Sequence, residues 1–173
     1  MSIYHTVLIT GANRGLGLQL VKEFLKLGTS KVAKVLATYR DPATADELNE
    51  LAKSNANLSL LQLETKNYAG YDAFRDQVAA IVGDKGLNLL INNAGIALRT
   101  TLDNVTPEQM MENYEVNTVT PLMLSKALLP LLRKSASAGH RTVIVQMSSQ
   151  VGSIADNKVS LLSNRRTSMD FYK

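Results

Sequence analysis

The chain has 173 residues, 45% of them hydrophobic and 20% charged, which is the balance of an ordinary globular domain and argues against a wholly disordered chain. It contains no cysteine, which excludes disulfides, thiolate metal sites and a cysteine nucleophile and fits a reducing compartment. The formal net charge is +4 but lysine and arginine are scattered, so we expect no nucleic-acid track and a basic surface that suits an anionic cofactor.

Short apolar, β-branched segments alternate along the chain with longer segments of helical periodicity. The predicted strands are His5–Thr10, Lys34–Arg40, Leu58–Glu64, Leu87–Asn92 and Arg141–Ser148. The predicted helices are Gly15–Leu27, Thr44–Lys53, a helix capped by Asn67 and ended by Gly83, and a long helix from Thr106 to Lys134. This alternation predicts right-handed βαβ units and therefore an α/β fold, with helices on both faces of a parallel sheet.

The segment that joins the first predicted strand to the first helix reads TGANRGLG, from Thr10 to Gly17. Its glycines form a G-x-x-x-G-x-G spacing, a relative of the dinucleotide-binding fingerprint. Gly11 permits a sharp turn, Gly15 lets the backbone approach a pyrophosphate, and Gly17 lets the helix pack closely on the sheet. A purely structural turn is the alternative, but the position between the first strand and the first helix favours cofactor binding.

Four motifs in order make the sequence resemble the short-chain dehydrogenase/reductase family: the glycine loop, NNAG at Asn92–Gly95, Asn117 in the long helix, and SSQVG at Ser148–Gly152. Three segments are most similar to the branch of carbonyl reductases that includes Sniffer-like proteins: GANRGLGLQLVKEFL, LLINNAGIA and ALLPLLRKSA. The resemblance implies a Rossmann fold, a doubly wound parallel sheet with five strands in order 3-2-1-4-5. We expect residues 1–157 to form this dinucleotide-binding domain and residues 158–173, which are polar and lack a clear period, to form an irregular or poorly ordered tail.

The resemblance and the residue types together predict an NADP(H) site. An arginine near the end of the second strand suits a 2′-phosphate, whereas an acid there suits the ribose of NAD. Arg40 ends that strand and Arg14 lies in the glycine loop. The alternative is that both arginines are solvated charges at the rim of the sheet. Asp41 argues mildly against NADP(H), because it lies one residue after the usual position of the acid in an NAD site. The family commonly has aspartate at the position of Glu64. Glu64 is expected either to help hold the adenine or to have no role in binding the cofactor. The predicted cofactor-binding residues are Gly11, Asn13, Arg14, Gly15, Leu16, Gly17, Arg40, Glu64, Asn93, Ala94 and Gly95.

The predicted catalytic residues are Ser149, which by resemblance polarises a substrate carbonyl, and Asn117, which by resemblance holds a water of the proton relay. The alternatives are that Ser149 turns the chain after the strand and that Asn117 marks a helix kink near Pro121. The family also uses a tyrosine followed four residues later by a lysine, which lowers the tyrosine pKa. At the corresponding place the chain has Arg165 and Met169.

A second departure from the family is expected beyond this segment. The family fold normally continues through another helix and two more strands, so the chain is expected to be C-terminally truncated or variant and to lack the last family strands. Its function is therefore predicted to be an oxidoreductase resembling NADPH-dependent carbonyl reductases with doubtful turnover, or alternatively a non-catalytic Rossmann-fold protein that binds a nucleotide or a partner.

The expected partners are a small-molecule carbonyl substrate and, by resemblance, a second copy of the chain through the long helix Thr106–Lys134. No run approaches the about 18 apolar residues of a membrane span, and the first residues lack a signal-peptide pattern, so no membrane partner and a cytoplasmic location are expected. His5 and His140 have no ligand spacing, and we expect no metal site.

Overall fold

The computed structural model describes residues 4–98, 100–101 and 103–149. Five parallel strands form one sheet in the order β3-β2-β1-β4-β5, which confirms the predicted doubly wound α/β topology. The strands are β1 (Thr6–Ile9), β2 (Lys34–Tyr39), β3 (Leu58–Gln62), β4 (Leu89–Asn92) and β5 (Val143–Gln146). Each is one to four residues shorter than predicted.

Helices cover both faces of the sheet. They are α1 (Gly15–Lys26), α2 (Asp46–Ser54), α3 (Tyr71–Val82), α4 (Pro107–Tyr114) and α5 (Thr120–Ser137). One apolar cluster lies between the sheet and α3 and α5, and the other lies between the sheet and α1 and α2. Alternate side chains of β1 enter opposite clusters, Leu8 in the first and Val7 and Ile9 in the second, which explains why this strand is apolar throughout.

Two predicted helix starts differ from the structure. A 3-10 turn, Pro42–Thr44, precedes α2, and the Asp41 carboxylate caps this turn by accepting a hydrogen bond from the Ala43 N–H at 2.9 Å. The prediction that Asn67 caps α3 is wrong, because a 3-10 turn at Tyr68–Gly70 intervenes and the Asn67 side chain makes no capping hydrogen bond. Gly83, at φ 60°, ends α3 as expected.

The predicted long helix is interrupted in its middle. Thr106 begins it with a capping box, in which Thr106 and Gln109 each bind the other's main-chain N–H. A π-helical turn, Glu115–Val119, then separates α4 from α5 and contains Asn117. Pro121 has no N–H to donate to the Asn117 carbonyl four residues earlier, so an α-helical hydrogen bond is missing at this point. Asn117, for which a helix kink near Pro121 is the alternative interpretation, therefore lies in a π-helical turn.

Arg165, Met169 and the proposed boundary at residue 157 lie outside the described residues. No helix in the described part of the chain is long and apolar enough to cross a membrane.

Candidate functional site

The glycine loop leaves the carboxyl end of β1 in a conformation that depends on its glycines. Gly11 and Gly15 have φ values of 63° and 56°, in the left-handed region that side chains disfavour. A Cβ on Gly11 would lie 2.9 Å from the Ala94 Cα, and one on Gly17 would overlap the Gly11 carbonyl oxygen. A Cβ on Gly15 would meet nothing within 4 Å. The loop is therefore tightly packed against the protein at Gly11 and Gly17 and open at Gly15.

The NNAG segment after β4 holds this loop from the neighbouring strand. The Asn93 amide nitrogen donates to the Thr10 carbonyl at 2.9 Å and to the Gly11 carbonyl at 3.1 Å. In return, the Thr10 hydroxyl accepts hydrogen bonds from the main-chain N–H groups of Asn93 and Ala94, both at 3.0 Å. β1 and β4 are adjacent, so two motifs more than 80 residues apart in the chain form one hydrogen-bonded unit.

A second neighbour fixes the other side of the loop. The hydroxyl of Thr38, buried near the end of β2, accepts a hydrogen bond from the Gly11 N–H at 3.2 Å. The Asn13 amide donates to the Thr44 hydroxyl at 2.9 Å and so ties the loop to the 3-10 turn after β2. Asn13 therefore lies at the predicted site, and its side chain binds protein there.

The start of α1 fits a pyrophosphate. Arg14 is the N-cap residue, no side chain caps the helix, and no acidic residue occupies the first turn. The N–H groups of a helix start and its positive dipole end favour an anion. Because the space in front of Gly15 is open, a phosphate could approach the main chain there without meeting a side chain. Leu16, predicted as a cofactor residue, is 57% exposed beside this opening.

The rim beside the glycine loop carries the two predicted arginines, Arg14 and Arg40, and both are exposed. The Arg40 Nε lies 4.0 Å from a carboxylate oxygen of Glu64, which follows β3. The Gln62 side-chain amide donates to the Arg40 carbonyl at 3.0 Å, so β3 also holds the main chain at the end of β2. The structure thus brings Arg40 and Glu64 together, as neighbours on adjacent strand ends.

Asn117 is buried, and its side chain binds the segment that follows NNAG. Its Oδ1 accepts from the Ile96 N–H at 3.0 Å, and its Nδ2 donates to the Ile96 carbonyl at 2.8 Å and to Asn113 Oδ1 at 2.5 Å. Both hydrogens of the Asn117 amide are therefore used within the protein. This contact holds the chain just beyond Gly95, the last predicted cofactor residue of that segment.

Ser149 is exposed and lies three residues beyond the end of β5. β5 pairs with β4 through Gln146 opposite Asn92, and the Met147 N–H continues this ladder by donating to the Asn92 carbonyl at 3.1 Å. Ser149 therefore follows directly from the strand next to the NNAG segment, at the carboxyl edge of the sheet. Ligands of open parallel sheets bind at this edge.

Two tyrosines of the described chain have hydroxyl groups engaged elsewhere. The Tyr71 hydroxyl donates to the Thr65 carbonyl at 2.5 Å, and the Tyr68 hydroxyl donates to the Glu115 carboxylate at 3.0 Å. Burial raises the pKa of both phenols, with a smaller contribution from Glu115 for Tyr68 and from Tyr68 for Tyr71. A proton donor needs the opposite shift, toward neutral pH, so neither tyrosine has the electrostatics of the family's acid.

The two histidines meet at the opposite end of the sheet. The rings of His5 and His140 are in edge-to-face contact, with centroids 4.7 Å apart. Within the described residues, no group of three or more His, Asp or Glu side chains is placed to hold a metal ion.

Sequence reasoning overlooked three residues that build the site: Thr38, Thr44 and Gln62. Thr38 carried a usable signal, since it is a polar residue inside an otherwise apolar buried strand. Thr44 and Gln62 had none, because Thr44 acts through the packing of the turn after β2 beside the glycine loop, and Gln62 acts through its contact with the main chain just beyond β2.

The sequence of the chain is similar to those of known short chain dehydrogenases. A model of the short chain dehydrogenase family matches residues 5–162. The chain is 36% identical over 158 residues to the short chain dehydrogenase gsfK of Penicillium aethiopicum, a match that covers 87% of the chain and 59% of that protein.

The fold of the chain is similar to those of solved carbonyl reductase structures. Carbonyl reductase Sniffer of D. melanogaster has a TM-score of 0.86 and 39% identity, over 91% of this chain and 66% of that one. The NADPH-bound carbonyl reductase from chicken fatty liver has a TM-score of 0.85 and 42% identity, over 90% of this chain and 61% of that one. The chain thus spans less than two thirds of the length of each of these relatives.

Proposed function

The chain belongs to the short-chain dehydrogenase family, and we propose that it is an NADP(H)-binding oxidoreductase of the carbonyl-reductase type. The observation that carries the proposal is the start of α1, which is uncapped, free of acidic residues and open at Gly15. The NADPH bound to the carbonyl reductase from chicken fatty liver, at 42% identity, supports the choice of cofactor.

Different residues of the chain would bind the pyrophosphate, the 2′-phosphate and the nicotinamide half of the cofactor. The main chain of Gly15 and Leu16 would receive the pyrophosphate at the helix start, while Arg14 and Arg40 would receive the 2′-phosphate at the rim. Asn93 and Thr10 keep the loop in shape, and Ala94 and Gly95 would form the floor beside the nicotinamide half. When bound, the reduced nicotinamide supplies a hydride to a carbonyl carbon.

For Ser149 and Asn117 we propose two different roles. Ser149, exposed at the carboxyl edge, would donate its hydroxyl hydrogen to the carbonyl oxygen of a substrate. Asn117 would keep the Ile96 main chain in place, because its amide hydrogens are already bound there and at Asn113. Its predicted part in a proton relay would then have to use a group other than these two hydrogens.

A second candidate function is nucleotide binding without turnover. Residues Arg165 and Met169 favour it, because an arginine stays protonated at neutral pH and a methionine has no charge with which to lower a tyrosine pKa. The cofactor site described above would be retained in either case, since it is built by residues that precede the Ser149 segment.

One experiment separates the two candidates: a fluorescence titration of the chain with NADPH beside a carbonyl-reduction assay at saturating NADPH. Binding with turnover supports the oxidoreductase, and binding without turnover supports the nucleotide-binding protein. Absence of binding contradicts both.

The proposal extends to location and assembly. The lack of cysteine supports a reducing, cytoplasmic compartment. Apolar side chains on the outer surface of α4 and α5 support a homo-oligomer through the long helix: Met111 is 65%, Tyr114 57% and Leu122 65% exposed.

A further inference from the structure

The ion pair between Arg40 and Glu64 bears directly on cofactor choice. We propose that Glu64 limits the affinity for the cofactor's 2′-phosphate by competing with it for the Arg40 guanidinium. Glu64 would thus set the preference between NADP(H) and NAD(H). The inference rests on the proposed function, in which Arg40 receives the 2′-phosphate.

The geometry indicates that Glu64 competes with the 2′-phosphate for Arg40 and does not hold the Arg40 side chain in place for it. The Arg40 Nε and the Glu64 carboxylate are 4.0 Å apart, beyond hydrogen-bond distance, and the two side chains are 74% and 47% exposed. A loose, solvated pair of this kind does little to fix a long side chain. The Arg40 main chain is already held without Glu64, through the Gln62 amide at 3.0 Å and through the Tyr39 carbonyl, which accepts from the Leu63 N–H at 2.8 Å.

The charge of Glu64 acts selectively. A 2′-phosphate is a dianion that binds the same guanidinium, so a carboxylate beside Arg40 offsets the positive charge there and repels the ligand. A ligand with a free 2′-hydroxyl has no charge at this point, so it does not experience this repulsion. Asp41, the acid that follows Arg40 after β2, accepts a hydrogen bond from the Ala43 N–H and so caps the 3-10 turn.

The test compares two small ligands that differ at the 2′ position, adenosine 2′,5′-bisphosphate and adenosine 5′-monophosphate. Their dissociation constants are measured by calorimetry on the full chain and on Glu64→Gln, Arg40→Gln and the double variant. Because both ligands contain adenine, any contact of Glu64 with the base cancels in the comparison. Glu50→Gln is the matched control, since Glu50 is an exposed acid on α2 that pairs with Lys53 at 2.6 Å.

We expect Glu64→Gln to tighten the bisphosphate roughly three- to tenfold at low salt and to leave the monophosphate within about twofold. This gain in affinity for the bisphosphate should shrink by at least half at high salt and in the Arg40→Gln background. The Glu50→Gln control should bind the bisphosphate with unchanged affinity. An unchanged or weakened bisphosphate affinity overturns the inference, and so does an equal gain when Arg40 is absent. If the unmodified chain binds neither ligand, the proposed function fails first and the inference with it.

Discussion

Asn93 holds the glycine loop: its amide nitrogen lies 3.1 Å from the carbonyl oxygen of Gly11 and also donates to the carbonyl of Thr10. The contact joins the carboxyl ends of β1 and β4, the two central strands that flank the place where the strand order reverses. A loop that must present its main chain to a ligand is thereby kept in one shape by a side chain from the next strand.

Replacing Asn93 with alanine should weaken both stability and cofactor binding. The change removes two hydrogen bonds and leaves the carbonyls of Thr10 and Gly11 without this donor, a loss of about 1–3 kcal/mol. Urea unfolding monitored by circular dichroism measures it. Asn49→Ala, at an exposed position of α2, is the control and should change the free energy of unfolding by less than about 0.5 kcal/mol. Equal losses in the two variants would contradict the role of Asn93.

Gly15 and Gly17 should respond differently to alanine. A Cβ on Gly17 would lie 2.5 Å from the Asn93 Nδ2 and overlap the Gly11 carbonyl, so Gly17→Ala should destabilise the fold by more than about 2 kcal/mol. Gly15→Ala meets open space and strains only the backbone, at a cost of roughly 1 kcal/mol.

The same Gly15→Ala variant should lose NADPH affinity at least about tenfold, since the new methyl group fills the approach to the helix start. Thermal unfolding and NADPH titration on both variants check the pair. A Gly15→Ala protein with unchanged affinity would show that the cofactor does not approach the main chain at this residue.

The two glycines also show how far the sequence alone could go. Their spacing, placed between an apolar strand and an amphipathic helix, was enough to predict the turn, and the alternating pattern was enough to predict the five strands. These features are local: each depends on periodicity within one element or on the backbone freedom of glycine.

Contacts between distant segments could not be predicted in the same way. Asn117 was identified as a site residue, but its use of both amide hydrogens on Ile96 and Asn113 depends on how α4 packs beside the loop after β4. The Arg40–Glu64 pair likewise depends on the directions that the two side chains take beyond β2 and β3, which the predicted strand order does not determine. Asn67 was misread because its residue type suits a helix cap, while the chain forms a 3-10 turn before the helix begins.

The histidine contact predicts a pH dependence of stability. Burial lowers the pKa of His5, and His140 and Lys85 lower it further. The folded chain therefore binds a proton less readily than the unfolded chain, whose histidine pKa is about 6.5. The stabilisation by neutral His5 is complete above that value and is lost as the pH falls below it.

Urea midpoints measured between about pH 7.5 and pH 5.5 should therefore fall with pH, and His5→Gln should flatten the dependence. His140→Gln should flatten it only in part, because burial of His5, the larger cause, remains. A slope that is the same in the unmodified chain and in His5→Gln would contradict this account.

Introducing a lysine at Leu122 should disrupt self-association. Leu122 is 65% exposed on α5, and a charge there cannot be buried against a second copy without a large desolvation cost. Light scattering after size-exclusion chromatography should show a shift to a smaller species for Leu122→Lys, while Leu27→Lys, at another exposed leucine, should leave the mass unchanged. Identical masses in all three proteins would contradict an interface through the long helix.

We propose that the start of α1 and the two rim arginines hold NADP(H). A fluorescence titration of the unmodified chain with NADPH and, in parallel, with NADH tests this binding site. We expect saturable binding of NADPH at least about tenfold tighter than that of NADH, with most of the difference lost in the Arg14→Gln and Arg40→Gln variants. Equal affinities for the two cofactors, or no binding of either, would contradict it.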